Sequence, residues 1–154
     1  MQGILLEEEI DELLASARFG HLGCADGDRP YVVPMAYVFR DGHLYGQTTT
    51  GQKVEMLRRN PSVCFQVESR EDGRWRSVIC WGRFEELAFD ELVQSEAVEI
   101  VRLLSERLGG IQKEVGVDVP FAFGQDAVPL KVNDKESTLF RIVVTEKTGR
   151  FFGA

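Results

Sequence analysis

Residues 46 to 53, GQTTTGQK, gather three hydroxyls, two glycines and one ammonium group within eight positions. Hydroxyls, loop amides and a cation beside the positive end of a helix are the groups that hold a terminal phosphate on a small molecule. The nucleotide P-loop requires glycine, four residues, glycine, lysine and then Ser or Thr, because the lysine and hydroxyl must reach particular phosphates and a magnesium ion. Gly46 and Gly51 have that separation, but Gln52 stands where the lysine belongs and Val54 follows Lys53. The Asp41-Gly42 pair places the preceding strand in a tight hairpin, whereas a P-loop joins a parallel strand to its crossover helix. Thr48, Thr49, Thr50 and Lys53 therefore read in one of two ways: a cradle for a small phosphate, or a polar loop that caps a helix.

Other residues carry weaker signals. Pro34 interrupts the strand-like run YVVPMAYVFR, where it cannot donate to a ladder, so it belongs at an edge, at a bulge or where pairing stops. Unpaired backbone there suits a planar heterocycle, and a proline equally guards an edge strand against aggregation. Trp75 and Trp81 lie six residues apart on one strand and share a face, which suits stacking on a ring, a core or a subunit interface. His21 and His43 read as a strand residue and a hairpin residue, and no Ser or Cys arrangement beside either suggests a nucleophile. Cys24, Cys64 and Cys80 are odd in number and fall in apolar runs, as buried thiols do, rather than as a disulfide framework. Two histidines and no ligand-like spacing give no expectation of a metal site.

The elements that must position these residues follow from periodicity. Leu6, Ile10, Leu13, Leu14 and Ala17 have helical spacing, which predicts a helix over 7–17, started by three glutamates and ended at Gly20. Strands are expected over 21–26 and 31–40, and Asp41-Gly42 predicts a type I′ hairpin into HLYGQT. A short helix over 54–60 stops before Pro61. The alternating run 62–69, the turn EDG and the long strand 74–87 follow, and the last of these is expected to be central. A helix over 90–108 ends at Gly109-Gly110. Residues 111–137 fit a helix, a loop or a lid, and a final strand covers 138–152. At least six strands, two or three helices, no βαβ alternation and no internal repeat point to a mainly β chain: an antiparallel barrel with helices packed on its rim.

Composition sets the outer bounds. The chain has 154 residues, 44% hydrophobic and 28% charged, which is the size and balance of one domain, 1–154. A net charge of −7 without any Lys or Arg run argues against a nucleic-acid partner. The acidic N-terminal segment and short apolar runs predict neither a secretory signal nor a membrane span, and a cytoplasmic location.

The order of these parts resembles the FMN-binding split-barrel proteins related to pyridoxamine 5′-phosphate oxidase, in particular the nitroimidazole-resistance-like branch. The resemblance rests on residues 19–68 (FGHLGCADGDRPYVVPMAYVFRDGHLYGQTTTGQKVEMLRRNPSVCFQVE) followed by WRSVICWGRFEEL. It implies a Greek-key-like antiparallel split β-barrel that forms a homodimer with FMN bound at the subunit interface. It implies further that Val33, Pro34, Met35 and Ala36 lay their backbone along the isoalloxazine ring. Thr48, Thr50 and Lys53 hold the phosphate, Gln47 stands where nitroimidazole-resistance proteins carry a histidine, and Ser77 faces the cofactor. Residues near Trp75 reach the partner's flavin. The implied function is an oxidoreductase acting on a small molecule, for which no general acid or base is named. The alternatives are a flavin-binding sensor or carrier, or a barrel holding haem or a deazaflavin, with His21 or His43 as the available imidazoles for haem. The chain's Gln47 and its C-terminal EKTGRFFGA count against histidine-dependent nitroreduction and against vitamin B6 oxidation.

Overall fold

A computed structural model describes residues 1–49, 52–87, 94–115 and 137–153. The elements are β1 (Gln2–Ile4), α1 (Glu7–Ser16), β2 (Phe19–Asp26), β3 (Arg29–Ala36), β4 (Val38–Arg40) and β5 (His43–Thr49). They continue with α2 (Gln52–Arg59), β6 (Ser62–Glu71), β7 (Arg74–Leu87), α3 (Gln94–Val115) and β8 (Ser137–Gly153). All pairings are antiparallel, in the order β3-β2-β6-β7-β8-β5-β4, with β1 added on β8. The long strand β7 is central, as its length and alternation predict. β8 is the hub: it pairs with β7 over residues 74–87, with β5 through Thr49↔Ser137, and with β1.

β3 and β4 occupy opposite ends of this order, yet only Tyr37 separates them in the chain. The sheet must therefore curl until its two edges meet at that residue, and the barrel is closed there by the covalent chain. The expected single strand over 31–40 thus divides at Tyr37, because one continuous strand cannot serve both edges. Tyr37 is fully buried, its ring meets that of Phe65 edge-on at 4.8 Å, and its hydroxyl donates to the Leu14 carbonyl of α1 at 2.5 Å. The barrel interior is filled by Leu22, Met35, Leu44, Phe65, Val78 and Phe140, and α1 adds Ile10, Leu13 and Leu14 to the same core. On the other side of the sheet Ile100 and Leu104 of α3 pack on Val38, Tyr45 and Leu139. Arg107 of α3 donates to the carbonyls of Ala15 and Ala17, satisfying groups that the end of α1 leaves without helical partners.

The turns are as their sequences predict: Asp41 and Gly42 have φ of 52° and 76°, and Asp72 and Gly73 have 52° and 72°. Several boundaries differ. α1 stops at Ser16 and Gly20 lies inside β2, where a Cβ would stand 2.3 Å from the Phe65 ring; it is a packing glycine and not a helix stop. α3 runs through Gly109 and Gly110 to Val115, since neither glycine adopts the positive φ that would end it. Residues 111–115 of the unassigned stretch are thus helical, while residues 90–93 and 116–136 lie outside the described residues. β1, only three residues long, has too short an alternation to show in the sequence.

Candidate ligand site on the outer face of the sheet

Strand alternation divides every residue of β2, β3, β6 and β7 between the barrel interior and an outer face. On β2, Gly20, Leu22 and Cys24 are buried while Phe19, His21 and Gly23 point outward. The outer face is unusually apolar for solvent contact: Val32 is 66% exposed, Trp75 45%, Phe19 44%, Trp81 39% and Ile79 38%. Trp75 and Trp81 share that face, as their spacing predicts. Trp75 is held in place, with its Nε1 donating to Glu68 at 2.8 Å and the Arg70 guanidinium 4.5 Å above its ring.

One polar row crosses this surface. Pro34 of β3 lies opposite His21 of β2, which lies opposite Gln66 of β6. The Gln66 amide nitrogen donates to the Ser77 hydroxyl of β7 at 3.3 Å, and its oxygen lies 3.4 Å from His21 Nδ1. The structure thus brings Pro34 and Ser77, 43 positions apart, onto one face. Of the two residues between them, Gln66 was overlooked in reading the sequence alone, and His21 was read there only as a strand residue and an available imidazole for haem. The signal that reveals them is cross-strand register, which alternation within one strand cannot supply.

The remaining predicted residues are placed as follows. Val33 and Met35 turn their side chains into the barrel core, so only their backbone is available to a ligand, and Ala36, opposite Phe19 on the outer side, has a side chain that is itself buried. β3 is the terminal strand of the sheet, the edge position expected for Pro34, and one side of its backbone has no strand partner among the described residues. The hydroxyl-rich stretch is a strand for longer than expected: β5 continues through Thr49, with Gln47 opposite Leu139 and Thr48 opposite Thr138. Thr48 is 1% exposed, and Gly46 is required by packing, since a Cβ there would come within 2.6 Å of the Phe140 ring. Lys53 lies in the first turn of α2, and Thr50 falls outside the described residues. His43 is partly buried beside Tyr45, their rings edge-on at 6.1 Å.

Burial pushes the Cys24 and Cys80 thiols up to about 11, and all three cysteines are free. Cys24 and Cys80 are buried, as expected, while Cys64 lies partly exposed on the outer face. Among the described residues no group of three or more His, Cys, Asp or Glu is arranged to hold a metal ion, and no helix is long and apolar enough to cross a membrane. A cavity of about 530 Å³ opens between the end of α1, β4 and α3, beside Arg18, Phe39, Leu103 and Arg107, and none of the predicted site residues lines it.

Comparison with known proteins gives this arrangement a family. Residues 7–150 match the pyridoxamine 5′-phosphate oxidase family, and the chain belongs to it. An uncharacterised protein of Rhizobium meliloti (strain 1021) is 30% identical over 105 residues, covering 68% of this chain and 70% of its own length. Among solved structures, a FAD-binding protein from Mesorhizobium loti is 29% identical, covers 99% of both chains and superposes with a TM-score of 0.77. A Bacteroides thetaiotaomicron structure provisionally assigned to 5-nitroimidazole antibiotic resistance is 19% identical, has a TM-score of 0.68 and spans 99% of this chain and 89% of its own, and shares the fold. The split barrel implied by the sequence resemblance is the fold of this chain.

Proposed function

We propose that this chain is a flavoprotein that binds FMN between two copies of itself and acts as an oxidoreductase on a small molecule. The observation that carries the reading is the placing of Pro34 and Ser77 on one outer face of a split barrel, with His21 and Gln66 between them, beside a β3 edge that has no strand partner on its outer side among the described residues. The donor set suits a flavin. Val33, Pro34, Met35 and Ala36 offer backbone along the ring, and Ser77, whose oxygen accepts from Gln66, has its hydroxyl hydrogen left to donate. Gln47, Thr48, Thr50 and Lys53 supply amides, hydroxyls and one positive charge for a terminal phosphate, with Thr48 acting through its backbone. The exposed Trp75, Ile79 and Trp81 form the subunit contact, because a patch of this kind on a soluble chain marks an interaction surface. When bound, the flavin supplies the electron or hydride transfer; the protein binds, orients and shields it. Membership of the pyridoxamine 5′-phosphate oxidase family and the FAD-binding relative support a flavin, and the short phosphate-compatible stretch favours the mononucleotide.

The test is an absorption spectrum of the purified protein, followed by release and identification of its chromophore and by reconstitution with added FMN. Flavin bands from FMN are expected. Released FAD would replace the mononucleotide in this reading, and a colourless protein that takes up no FMN would overturn it.

A further inference from the structure

Two of the three members of the row His21, Gln66 and Ser77 have no role in the reading above, and their hydrogen bonds constrain one another. Gln66 directs its amide nitrogen to Ser77 and its oxygen to His21. With the Gln66 amide oriented in this way its oxygen accepts from His21 Nδ1, which then carries a hydrogen in both the neutral and the charged ring. The proton that histidine exchanges is then confined to Nε2. The surroundings leave that atom to a ligand. Phe19 stands edge-on to the imidazole at 6.0 Å, Pro34 lies opposite on β3, and Gln66 and Cys64 are its neighbours on β6. The next outward position on β6, Glu68, is a carboxylate already bound to Trp75 Nε1, and Ser77 and Ile79 are the nearest outward residues of β7.

We propose that His21 is a pH-responsive contact to the ring of a bound flavin, with Gln66 as its positioning residue. Neutral His21 accepts a hydrogen bond at Nε2 from a ring N–H. Protonated His21 donates one to a ring carbonyl or to a ring nitrogen that bears negative charge, the proton coming from solvent and the Nδ1–H bond to Gln66 persisting throughout. The proposal rests on the flavin reading above and adds to it that FMN affinity and ring environment change with pH through this residue.

The experiment is nitrogen-15 NMR of histidine-labelled full-length protein between about pH 5.5 and 9, with and without FMN, with flavin fluorescence recorded on the same samples. His21→Gln assigns the signals against those of His43. The neutral His21 ring is expected as the Nδ1–H tautomer. That preference is lost in Gln66→Leu and kept in Gln66→Glu, whose carboxylate accepts the same hydrogen, and Gln66→Leu weakens FMN binding about fivefold, the worth of one hydrogen bond. Added FMN is expected to shift the Nε2 resonance of His21. An Nε2–H tautomer, or a His21 signal that does not move when fluorescence shows FMN bound, overturns the proposal and leaves the flavin reading intact. Fluorescence showing no FMN binding by the unaltered protein overturns both.

Discussion

At the scale of single residues, Lys53 carries the one positive charge of the hydroxyl-rich stretch 46–53. Lys53 could be singled out because a cation beside three hydroxyls is informative wherever the chain places it. Gly46 could not be read correctly, because its reason for being glycine is the Phe140 ring, 94 positions away. If Lys53 holds the FMN phosphate, Lys53→Ala removes a charge-assisted hydrogen bond of about 1.5–3 kcal/mol and weakens FMN binding by roughly 10- to 100-fold in a fluorescence titration. A change below twofold would remove Lys53 from the cradle. The thiols make a second prediction. Cys24 and Cys80 are pushed up to about 11 by burial, from 9.0 when unperturbed. Between those values the unfolded thiols ionise while the folded ones stay neutral, so the unfolded state binds fewer protons and stability falls as pH rises through this window. Urea midpoints measured from pH 8 to 11 should decline in the native protein, and less steeply in Cys24→Ser/Cys80→Ser once its own lower starting stability is subtracted.

At the scale of elements, strands with strict alternation were found nearly to the residue: β7 spans the 74–87 that its pattern predicts, and the two Asp-Gly turns sit where their sequences put them. What escaped was decided by partners far along the chain. The division at Tyr37 leaves no local trace, because VVPMAYVFR is apolar without a break up to Arg40 and only the sheet order shows that its halves lie on opposite edges. That division makes Tyr37 a joint between the crossover and α1. Burial pushes its phenol well above the ordinary tyrosine range, so the hydroxyl remains a donor to the Leu14 carbonyl at any pH the fold survives. Tyr37→Phe leaves that carbonyl without its partner in a dry environment and should cost about 1–3 kcal/mol, seen as a lower urea midpoint with an unchanged slope. An unchanged midpoint would mean that the crossover is held by apolar packing alone.

At the scale of the whole molecule, the dimer proposed above would couple assembly to binding through the outer face of the sheet. The FMN-binding dimer proposed here requires Ile79 and Trp81 to meet a second copy, so Ile79→Glu with Trp81→Glu should weaken self-association by roughly 30-fold or more in sedimentation equilibrium and release bound flavin with it. A dimer that persists unchanged would place the subunit contact on another surface. The position of β8 carries a different consequence, one for synthesis. Before residues 137–153 exist, β3-β2-β6-β7 and β5-β4 are two separate sheets among the described residues, and β1 lacks the one strand partner it has among them. A ribosome making this chain from its N-terminus therefore holds, until the last strand clears the exit tunnel, two half-sheets with bare edges at β7 and β5. Nascent chains stalled before residue 137 should engage chaperones and be cut by protease, and protection should arrive in one step when β8 emerges.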